Sequence, residues 1–214
     1  MREIKFTDPH RKKHFDLFNH MNHPHYCLCA NVEITALLAH LKAVGISFTP
    51  AIVYLISRVA NEIPAFRQRI RGEKVIEHEQ VNPSFSVHTK VSDVFSFCEV
   101  TYEPAASSFI ASALAQMKRM EEAPVLEDQD RDDYLFLSAL PWISFTGLTH
   151  AMHYHPCDSV PRITWGKYFE EGDKIKMPLS VQVHHALVDG RHMGQYYQQW
   201  EALAAEPARW LGMG

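Results

Sequence analysis

The stretch Gln182-Val183-His184-His185-Ala186-Leu187-Val188-Asp189-Gly190 joins a predicted strand to a predicted helix. In residues 174–185, apolar and polar side chains alternate, which is the period of a half-buried strand. After the stretch, apolar residues recur at helical spacing, and Asp189 is a suitable N-cap for this helix. The alternation puts His185 on the apolar face of the strand and His184 on the polar face.

This junction is a candidate catalytic centre. An imidazole in an apolar setting can be held neutral and basic near pH 7 by burial and one hydrogen bond. His185 is therefore a candidate general base, and the carboxylate of Asp189 is a candidate for orienting the site. The same pattern also fits a packed core histidine followed by an ordinary Asp-Gly turn, so the spacing alone leaves both interpretations open.

Composition excludes several classes of protein. The chain has 214 residues, of which 46% are hydrophobic and 21% charged, and it is predicted to form one globular domain over residues 1–214. A net charge of -4 without a basic run argues against nucleic acid or a membrane surface as partner. No signal-like or membrane-spanning apolar run occurs, so the expected location is the cytoplasm, with the four cysteines reduced.

The 14 histidines raise the question of a metal site. His10 and His14 have helical spacing, but no Glu follows the first of them as it does in a helical zinc protease. A second group matches no known ligand spacing and consists of His150, His153, His155 and Cys157. No metal site is predicted.

The rest of the chain is predicted to mix helices and strands. The predicted helices are 9–21, 36–44 capped by Thr35, 51–63 opened by Thr49-Pro50 and continued to 70, 107–121, and one starting at 189. The predicted strands are 25–34, 75–78, 84–91, 94–102, 134–138, 162–169 and 174–185. The three strands between 74 and 102 are expected to form an antiparallel meander, and 127–133 an acidic solvated loop. The sum is an α/β protein with a mixed, mostly antiparallel sheet covered by helices.

A general base also needs a group that stabilises developing negative charge. Ser138 is the candidate, because it lies at a predicted strand end before a Pro-Trp corner, although a turn serine fits this position equally well. Arg11 in the first helix is the candidate cation for the carboxylate of Asp189, since a guanidinium fork matches a carboxylate.

Four phrases carry a resemblance to a known family. They are His-Arg-Lys-Lys-His-Phe at 10–15, Ser-Ala-Leu-Pro-Trp-Ile-Ser-Phe at 138–145, Lys-Tyr at 167–168 with Glu-Gly-Asp-Lys at 171–174, and His-His-x-x-x-Asp-Gly at 184–190. In this order, over nearly the whole chain, they resemble the type A chloramphenicol acetyltransferases. The last phrase alone is shared with dihydrolipoamide acyltransferases and other CoA-dependent acyltransferases.

The resemblance implies the two-layer CoA-dependent acyltransferase fold and a homotrimer with active sites between subunits. It implies an enzyme that moves an acetyl group from acetyl-CoA to a hydroxyl of chloramphenicol or a similar small molecule, and so a role in antibiotic resistance. His185 would deprotonate the acceptor, Ser138 would hydrogen-bond the oxyanion, and Thr164 would help to hold the tetrahedral intermediate through water. Asp189 would pair with Arg11 to maintain the site.

The resemblance also implies the residues that bind the two substrates. Those expected to contact CoA are Trp142, Lys167 and Tyr168. Those expected to line the acceptor pocket are Phe18, Tyr26, Phe95, Phe97 and His150. Residues 22–25 and 149–152 depart from the family's usual pattern, which leaves the acceptor open between chloramphenicol and another small alcohol or amine.

Two other functions are compatible with parts of the sequence. A dihydrolipoyl acyltransferase core would normally carry lipoyl modules on Ala/Pro-rich linkers, and none occur in the sequence. The second alternative is a non-catalytic or divergent trimeric protein that binds a small molecule. The intact set of candidate catalytic residues argues against it.

Overall fold

The structure is a computed structural model that describes residues 1–127 and 131–211. Its helices are α1 Pro9–Asn19, α2 Thr35–Val44, α3 Phe48–Glu62, α4 Ala106–Glu122, α5 Gly190–Ala205 and α6 Ala208–Leu211. Its strands are β1 Arg2–Ile4, β2 His25–Glu33, β3 Gln68–Arg71, β4 Lys74–Glu77, β5 Asn82–His88, β6 Phe95–Glu99, β7 Tyr134–Leu140, β8 Arg162–Gly166, β9 Phe169–Glu171 and β10 Lys174–His184. No helix in the described ranges has the length and apolar character needed to cross a membrane.

The main sheet has seven strands, and β10 is its longest. Six of the strands lie in the order β2-β10-β8-β7-β5-β6, and β9 also pairs with β10. Strand β10 is antiparallel to β2, β8 and β9, whereas β7 is parallel to both β5 and β8. The predicted mixed, mostly antiparallel sheet is therefore confirmed.

One face of this sheet forms the core. The apolar side chains predicted to share one face of β10 are Ile175, Met177, Leu179, Val181 and Val183. The last four are fully buried, and Ile175 is partly buried against the same core. Helix α3, the most completely buried helix, belongs to the same hydrophobic cluster, as do Tyr196 and Trp200 of α5. Each large apolar side chain buried in this way contributes about 1.5–3 kcal/mol to stability. This packing holds the end of β10 and the start of α5 together.

The opposite face of β10 is polar but also buried. Ser180, Gln182 and His184 are each less than 5% exposed. Part of the segment 141–161 packs against Gln182, where the His150 N–H donates to Gln182 Oε1 over 3.0 Å and Gln182 Nε2 lies 3.2 Å from Met152 Sδ. The sequence assigned His184 to the polar face correctly, but a polar alternation does not reveal that a loop of the same chain will cover that face.

The predicted meander of three strands is wrong in its first member. Strand β4 pairs with β1 and β3 in a separate three-stranded sheet, and only β5 and β6 form a hairpin. The helix predicted to continue to residue 70 is also wrong, because a short 3-10 turn at Pro64–Arg67 leads directly into β3. Proline removes a backbone donor and so ends the regular helix.

The predicted N-cap of α2 is wrong as well. The helix begins at Thr35 itself, and Ile34 is the N-cap residue. The Thr35 hydroxyl accepts the Ile175 N–H over 2.9 Å and donates to Glu33 Oε1 over 3.3 Å. Thr35 therefore links β2 and β10 instead of capping the helix.

The predicted acidic loop is only partly solvated. Residues 128–130 lie outside the described residues, but the carboxylate of Asp132 is held in place. Arg71 donates to both of its oxygens over 2.7 and 2.6 Å, and His78 Nε2 lies 2.9 Å from Oδ1. This arrangement attaches the small sheet to the start of β7.

Candidate active site

The His-His-x-x-x-Asp-Gly stretch forms a tight turn at the end of β10. The strand ends at His184, and His185 is the first residue of the turn, where its N–H donates to the carbonyl of Pro24 over 2.8 Å. The Val188 N–H returns to the His184 carbonyl over 3.0 Å, and α5 then begins at Gly190 with Asp189 as its N-cap residue. Both ends of the turn are therefore fixed by regular structure.

Aromatic rings surround the imidazole of His185, which is half-buried. Phe18 stacks on it with ring centroids 3.8 Å apart, Tyr26 lies at 4.5 Å, and His14 meets it edge-on at 5.4 Å. The Nδ1 atom of His185 is buried and has no hydrogen-bond partner among the described residues. Nε2 is then the ring nitrogen that remains for a substrate, as a general base requires.

The expected ion pair between Arg11 and Asp189 is wrong in this chain. Arg11 instead donates to the carbonyls of Ala186 and Leu187 over 2.8 and 2.9 Å, and it contacts His14 Nδ1 at 2.8 Å. The guanidinium group of Arg11 therefore already donates to the backbone of the catalytic turn. Residue types cannot reveal this competition, because carbonyl oxygens accept from a guanidinium just as a carboxylate does.

The carboxylate of Asp189 is also more exposed than expected. Its side chain is 51% exposed, and its Oδ1 lies 4.0 Å from His14 Nε2. A hydrogen bond from the Gly190 N–H lowers the pKa of this carboxyl. The Asp189 N–H donates to His192 Nδ1 over 2.9 Å, which helps to secure the first turn of α5. Asp189 thus remains charged beside the two imidazoles at neutral pH.

These contacts predict different stability effects for two substitutions. We expect Arg11→Ala to lower the free energy of unfolding by about 1–3 kcal/mol, because it removes the donors to two carbonyls of the turn. Asp189→Asn should change it by less than about 0.5 kcal/mol, because the side chain is half exposed and Asn caps helices as well as Asp does. Urea denaturation measures both, and a larger loss for Asp189→Asn would contradict this assignment of contacts.

Ser138 and Thr164 lie far from His185 within one chain. They are paired across the parallel strands β7 and β8, and Thr164 is paired in turn with Ser180 on β10. Ser180 is four residues before His184, which is roughly 13 Å along a strand at about 3.3 Å per residue. One carbonyl therefore cannot be within hydrogen-bond reach of both Ser138 and His185 of the same chain.

The hydroxyls of Ser138 and Thr164 have different surroundings. That of Ser138 is half-buried and makes no hydrogen bond with the described residues. Thr164 is fully buried, and its Oγ1 lies 2.7 Å from His150 Nε2. The second ring nitrogen of His150, Nδ1, lies 3.3 Å from Gln182 Oε1. This imidazole therefore belongs to a polar group on one face of β8 and β10. Burial lowers the pKa of His150.

The aromatic residues predicted for the acceptor pocket divide into two groups. Phe18 and Tyr26 contact His185, as described above. Phe95 and Phe97 pack edge-on with ring centroids 5.4 Å apart on β6, at the far edge of the sheet. Strands β5, β7 and β8 separate that edge from β10. A single chain therefore does not bring the two groups together.

The residues predicted to contact CoA lie close to one another on the surface. Lys167 donates its N–H to the Ile143 carbonyl over 2.9 Å, which joins the loop containing Trp142 to the end of β8. Gly166 makes this possible, because a Cβ there would lie 2.8 Å from the Ile143 oxygen. The side chains of Trp142 and Tyr168 are 66% and 40% exposed.

Neither histidine group noted in the sequence brings its potential ligands together in the part of the chain that the structure describes. The one set of potential ligands that converges there is His14, His185 and Asp189, whose ligand atoms lie within 4.8 Å of one another. A metal-bound histidine usually donates its other N–H to an acceptor. His14 has a guanidinium in that position instead, and this opposes a cation at the site.

His14 is the site residue that sequence reasoning missed as a participant. Its i,i+4 spacing from His10 suggests only a metal-ligand role, although it lies in the His-Arg-Lys-Lys-His-Phe phrase. Its spacing of three residues from Arg11 puts both side chains on one face of α1. That spacing is the sequence feature that could have indicated a contact between His14 and Arg11.

Comparisons with known proteins extend these observations. A sequence profile of the chloramphenicol acetyltransferase family matches residues 1–200. The chain is 34% identical over 188 residues to chloramphenicol acetyltransferase 2 of Escherichia coli, covering 87% of this chain and 88% of that protein. It is 29% identical over 212 residues to a chloramphenicol acetyltransferase of Clostridium perfringens, covering 98% and 97%.

Solved structures share the fold. A chloramphenicol acetyltransferase structure superimposes with a TM-score of 0.84 at 24% identity, covering 95% of this chain and all of that one. A dihydrolipoamide acetyltransferase of Azotobacter vinelandii superimposes with a TM-score of 0.68 at 18% identity, covering 99% and 94%.

The sheet, its helical cover and the histidine turn define a CoA-dependent acyltransferase fold, as predicted. The protein is an enzyme that uses acetyl-CoA as acyl donor. It belongs to the chloramphenicol acetyltransferase family.

Proposed function

We propose that this protein transfers the acetyl group of acetyl-CoA to a hydroxyl of chloramphenicol, as an intracellular enzyme of antibiotic resistance. The relatives named above are chloramphenicol acetyltransferases, and they align with most of this chain. The observation that carries the proposal is the environment of His185. Its ring is held between aromatic side chains, with Nδ1 buried and Nε2 left for a substrate.

In this proposal His185 is the general base. Its Nε2 lone pair takes the proton of the acceptor hydroxyl as the oxygen attacks the thioester carbonyl. A C–O bond forms, negative charge develops on the carbonyl oxygen, and the tetrahedral intermediate then releases CoA thiolate. The thiolate receives the proton from the imidazolium, so the histidine is neutral again after each turnover. No acyl-enzyme is formed.

Ser138 donates a hydrogen bond from its hydroxyl to the developing oxyanion in this mechanism. It has no competing hydrogen bond with the described residues, so its donor is available. Thr164 helps through a water molecule. A hydroxyl has one donor and two acceptor positions, so contact with His150 leaves capacity for that water.

The proposed assembly is a homotrimer with active sites between subunits. Its physical support is the separation of Ser138 from His185 by roughly 13 Å or more along the sheet of one chain. A second copy that presents Ser138 of its strand β7 to the His185 turn supplies the missing donor. The same arrangement brings Phe95, Phe97 and His150 of one subunit toward the Phe18 and Tyr26 rings of another, as walls of the acceptor pocket.

CoA is proposed to bind along the surface that carries Trp142, Lys167 and Tyr168. The two aromatic rings are exposed and present apolar faces, which suit the pantetheine chain and the adenine. The ammonium group of Lys167 forms no ion pair within the described part of the chain, so it is available for a phosphate. Anionic groups of a ligand are commonly bound in this way.

A thiol-release assay tests the function directly. We expect purified protein with acetyl-CoA to release free CoA thiol when chloramphenicol is added, and the product to be an acetyl ester. A panel of other small alcohols and amines compares acceptors by kcat/KM. Binding of chloramphenicol without thiol release would instead favour the non-catalytic, small-molecule-binding alternative.

A further inference from the structure

The backbone of His150 fixes the orientation of the Gln182 side-chain amide. A backbone N–H can only donate, and that of His150 lies 3.0 Å from one terminal atom of Gln182, so this atom must be the oxygen Oε1. The amide nitrogen Nε2 then lies 3.2 Å from Met152 Sδ, which is a weak acceptor. The buried amide is therefore held in one of its two possible orientations.

This orientation determines the tautomer of the His150 ring. Gln182 Oε1 can only accept, so His150 Nδ1, which lies 3.3 Å from it, must carry a proton. Burial lowers the pKa of His150, and the charge of Arg162 lowers it further, so the ring is neutral at neutral pH. A neutral imidazole with a proton on Nδ1 has a lone pair on Nε2. His150 is therefore an acceptor at Nε2.

The lone pair on His150 Nε2 accepts the only proton of the Thr164 hydroxyl. The two atoms are 2.7 Å apart, which is a distance of a good hydrogen bond. A hydroxyl has one donor and two acceptor positions, so Thr164 Oγ1 has only lone pairs left for any other partner. The role of the Thr164 hydroxyl is thus set by a series of contacts that begins at a backbone N–H.

Thr164 and Ser138 face the same side of the sheet. They are paired across the parallel strands β7 and β8, and neighbouring strands are about 4.7–4.9 Å apart. The Ser138 hydroxyl has no hydrogen-bond partner among the described residues, so it is free to donate, whereas Thr164 can only accept. The two neighbouring hydroxyls therefore have opposite hydrogen-bonding roles.

We propose that His150 is a positioning residue, which keeps the Thr164 hydroxyl in its accepting orientation, so that a bridging water donates one hydrogen to Thr164 and directs the other to the oxyanion. The inference rests on the proposed function, in which Thr164 acts through this water. A water whose orientation is fixed before the reaction needs no reorientation as negative charge develops. His150 itself does not touch the reacting atoms in this role.

Substitutions at position 150 test this role. His150→Leu removes both ring nitrogens and frees the Thr164 hydroxyl to rotate. We expect it to lower kcat by about 3–10-fold, which is the rate equivalent of one hydrogen bond of ordinary net strength. His150→Gln keeps an amide oxygen for Thr164 and an amide N–H for Gln182, so it should recover most of the loss. His153→Leu, at an exposed position in the same segment, is the matched control and should retain wild-type kcat.

Thr164→Val removes the hydroxyl on which His150 acts. In that background, His150→Leu should lower kcat no further. A loss by the same factor in both backgrounds would show that His150 acts through loop structure alone and would overturn the proposal. So would an unchanged kcat in His150→Leu, or a Gln variant as slow as the Leu variant.

A spectroscopic measurement on the wild-type protein does not depend on a variant that folds. Imidazole ¹⁵N shifts above neutral pH should show His150 protonated on Nδ1 and not on Nε2, and the opposite tautomer contradicts the inference. His185→Ala separates the two levels. An inactive His185→Ala protein together with any of these contrary results removes this inference alone, whereas an active His185→Ala protein removes the proposed function.

Discussion

His185→Ala should lower kcat for acetyl transfer to chloramphenicol by at least about 10²-fold, and by up to about 10⁴-fold, because it removes the general base. The acceptor hydroxyl would then have to lose its proton to water as it attacks the thioester. KM for acetyl-CoA should change little, because the proposed CoA contacts lie at Trp142, Lys167 and Tyr168. Thiol release under saturating substrates measures the effect.

His10→Ala is the control for this variant. His10 is exposed on α1, so its loss removes an imidazole without touching the catalytic turn. Thermal unfolding of both variants separates a loss of chemistry from a loss of fold, since His185 is half-buried among aromatic rings. A folded His185→Ala protein with wild-type turnover would show that another group removes the proton.

Ser138→Ala is expected to lower kcat by about 10²–10³-fold, which is the usual effect of losing one oxyanion donor. The hydroxyl makes no hydrogen bond with the described residues of its own chain, so its removal should leave the melting temperature close to that of the wild type. The loss should therefore appear in the reaction and not in the fold. Steady-state kinetics with acetyl-CoA and chloramphenicol measure it.

Ser144→Ala provides the comparison. Ser144 lies in the loop that follows β7, and its hydroxyl donates to the Lys167 carbonyl over 2.6 Å. Its removal deletes a structural hydrogen bond without deleting an oxyanion donor, so turnover should fall much less than in Ser138→Ala. Equal effects of the two substitutions would indicate that residues 138–145 act through loop structure alone.

The catalytic turn was predictable because its local patterns agree with the global fold. The alternation along β10 identified correctly the apolar side chains from Met177 to Val183 that face the core, although the polar face is buried as well. The helical spacing after Asp189 located the start of α5 within one residue. Both patterns are strong because a long strand and a long helix each bury a continuous apolar surface. The family resemblance added the residues that periodicity cannot select.

Other features could not be read from the sequence. Strands β1 and β3 have only three and four residues, which is too short for a periodic signal. The expected pairing of Arg11 with Asp189 considered side chains only, whereas Arg11 binds the carbonyls of Ala186 and Leu187. Backbone acceptors have no sequence signature, so a buried arginine cannot be assigned to a carboxylate by residue type alone.

The separation of Ser138 from His185 in one chain makes subunit complementation the most direct test of the central claim. Ser138→Ala and His185→Ala chains, each inactive alone, are co-expressed with different tags, and doubly tagged assemblies are assayed for thiol release. In a cyclic trimer every mixed assembly contains one interface with both residues intact, so the doubly tagged trimers should recover about a third of wild-type activity. If the site were built within one chain, every chain would lack one group and no activity would return, which would contradict the account.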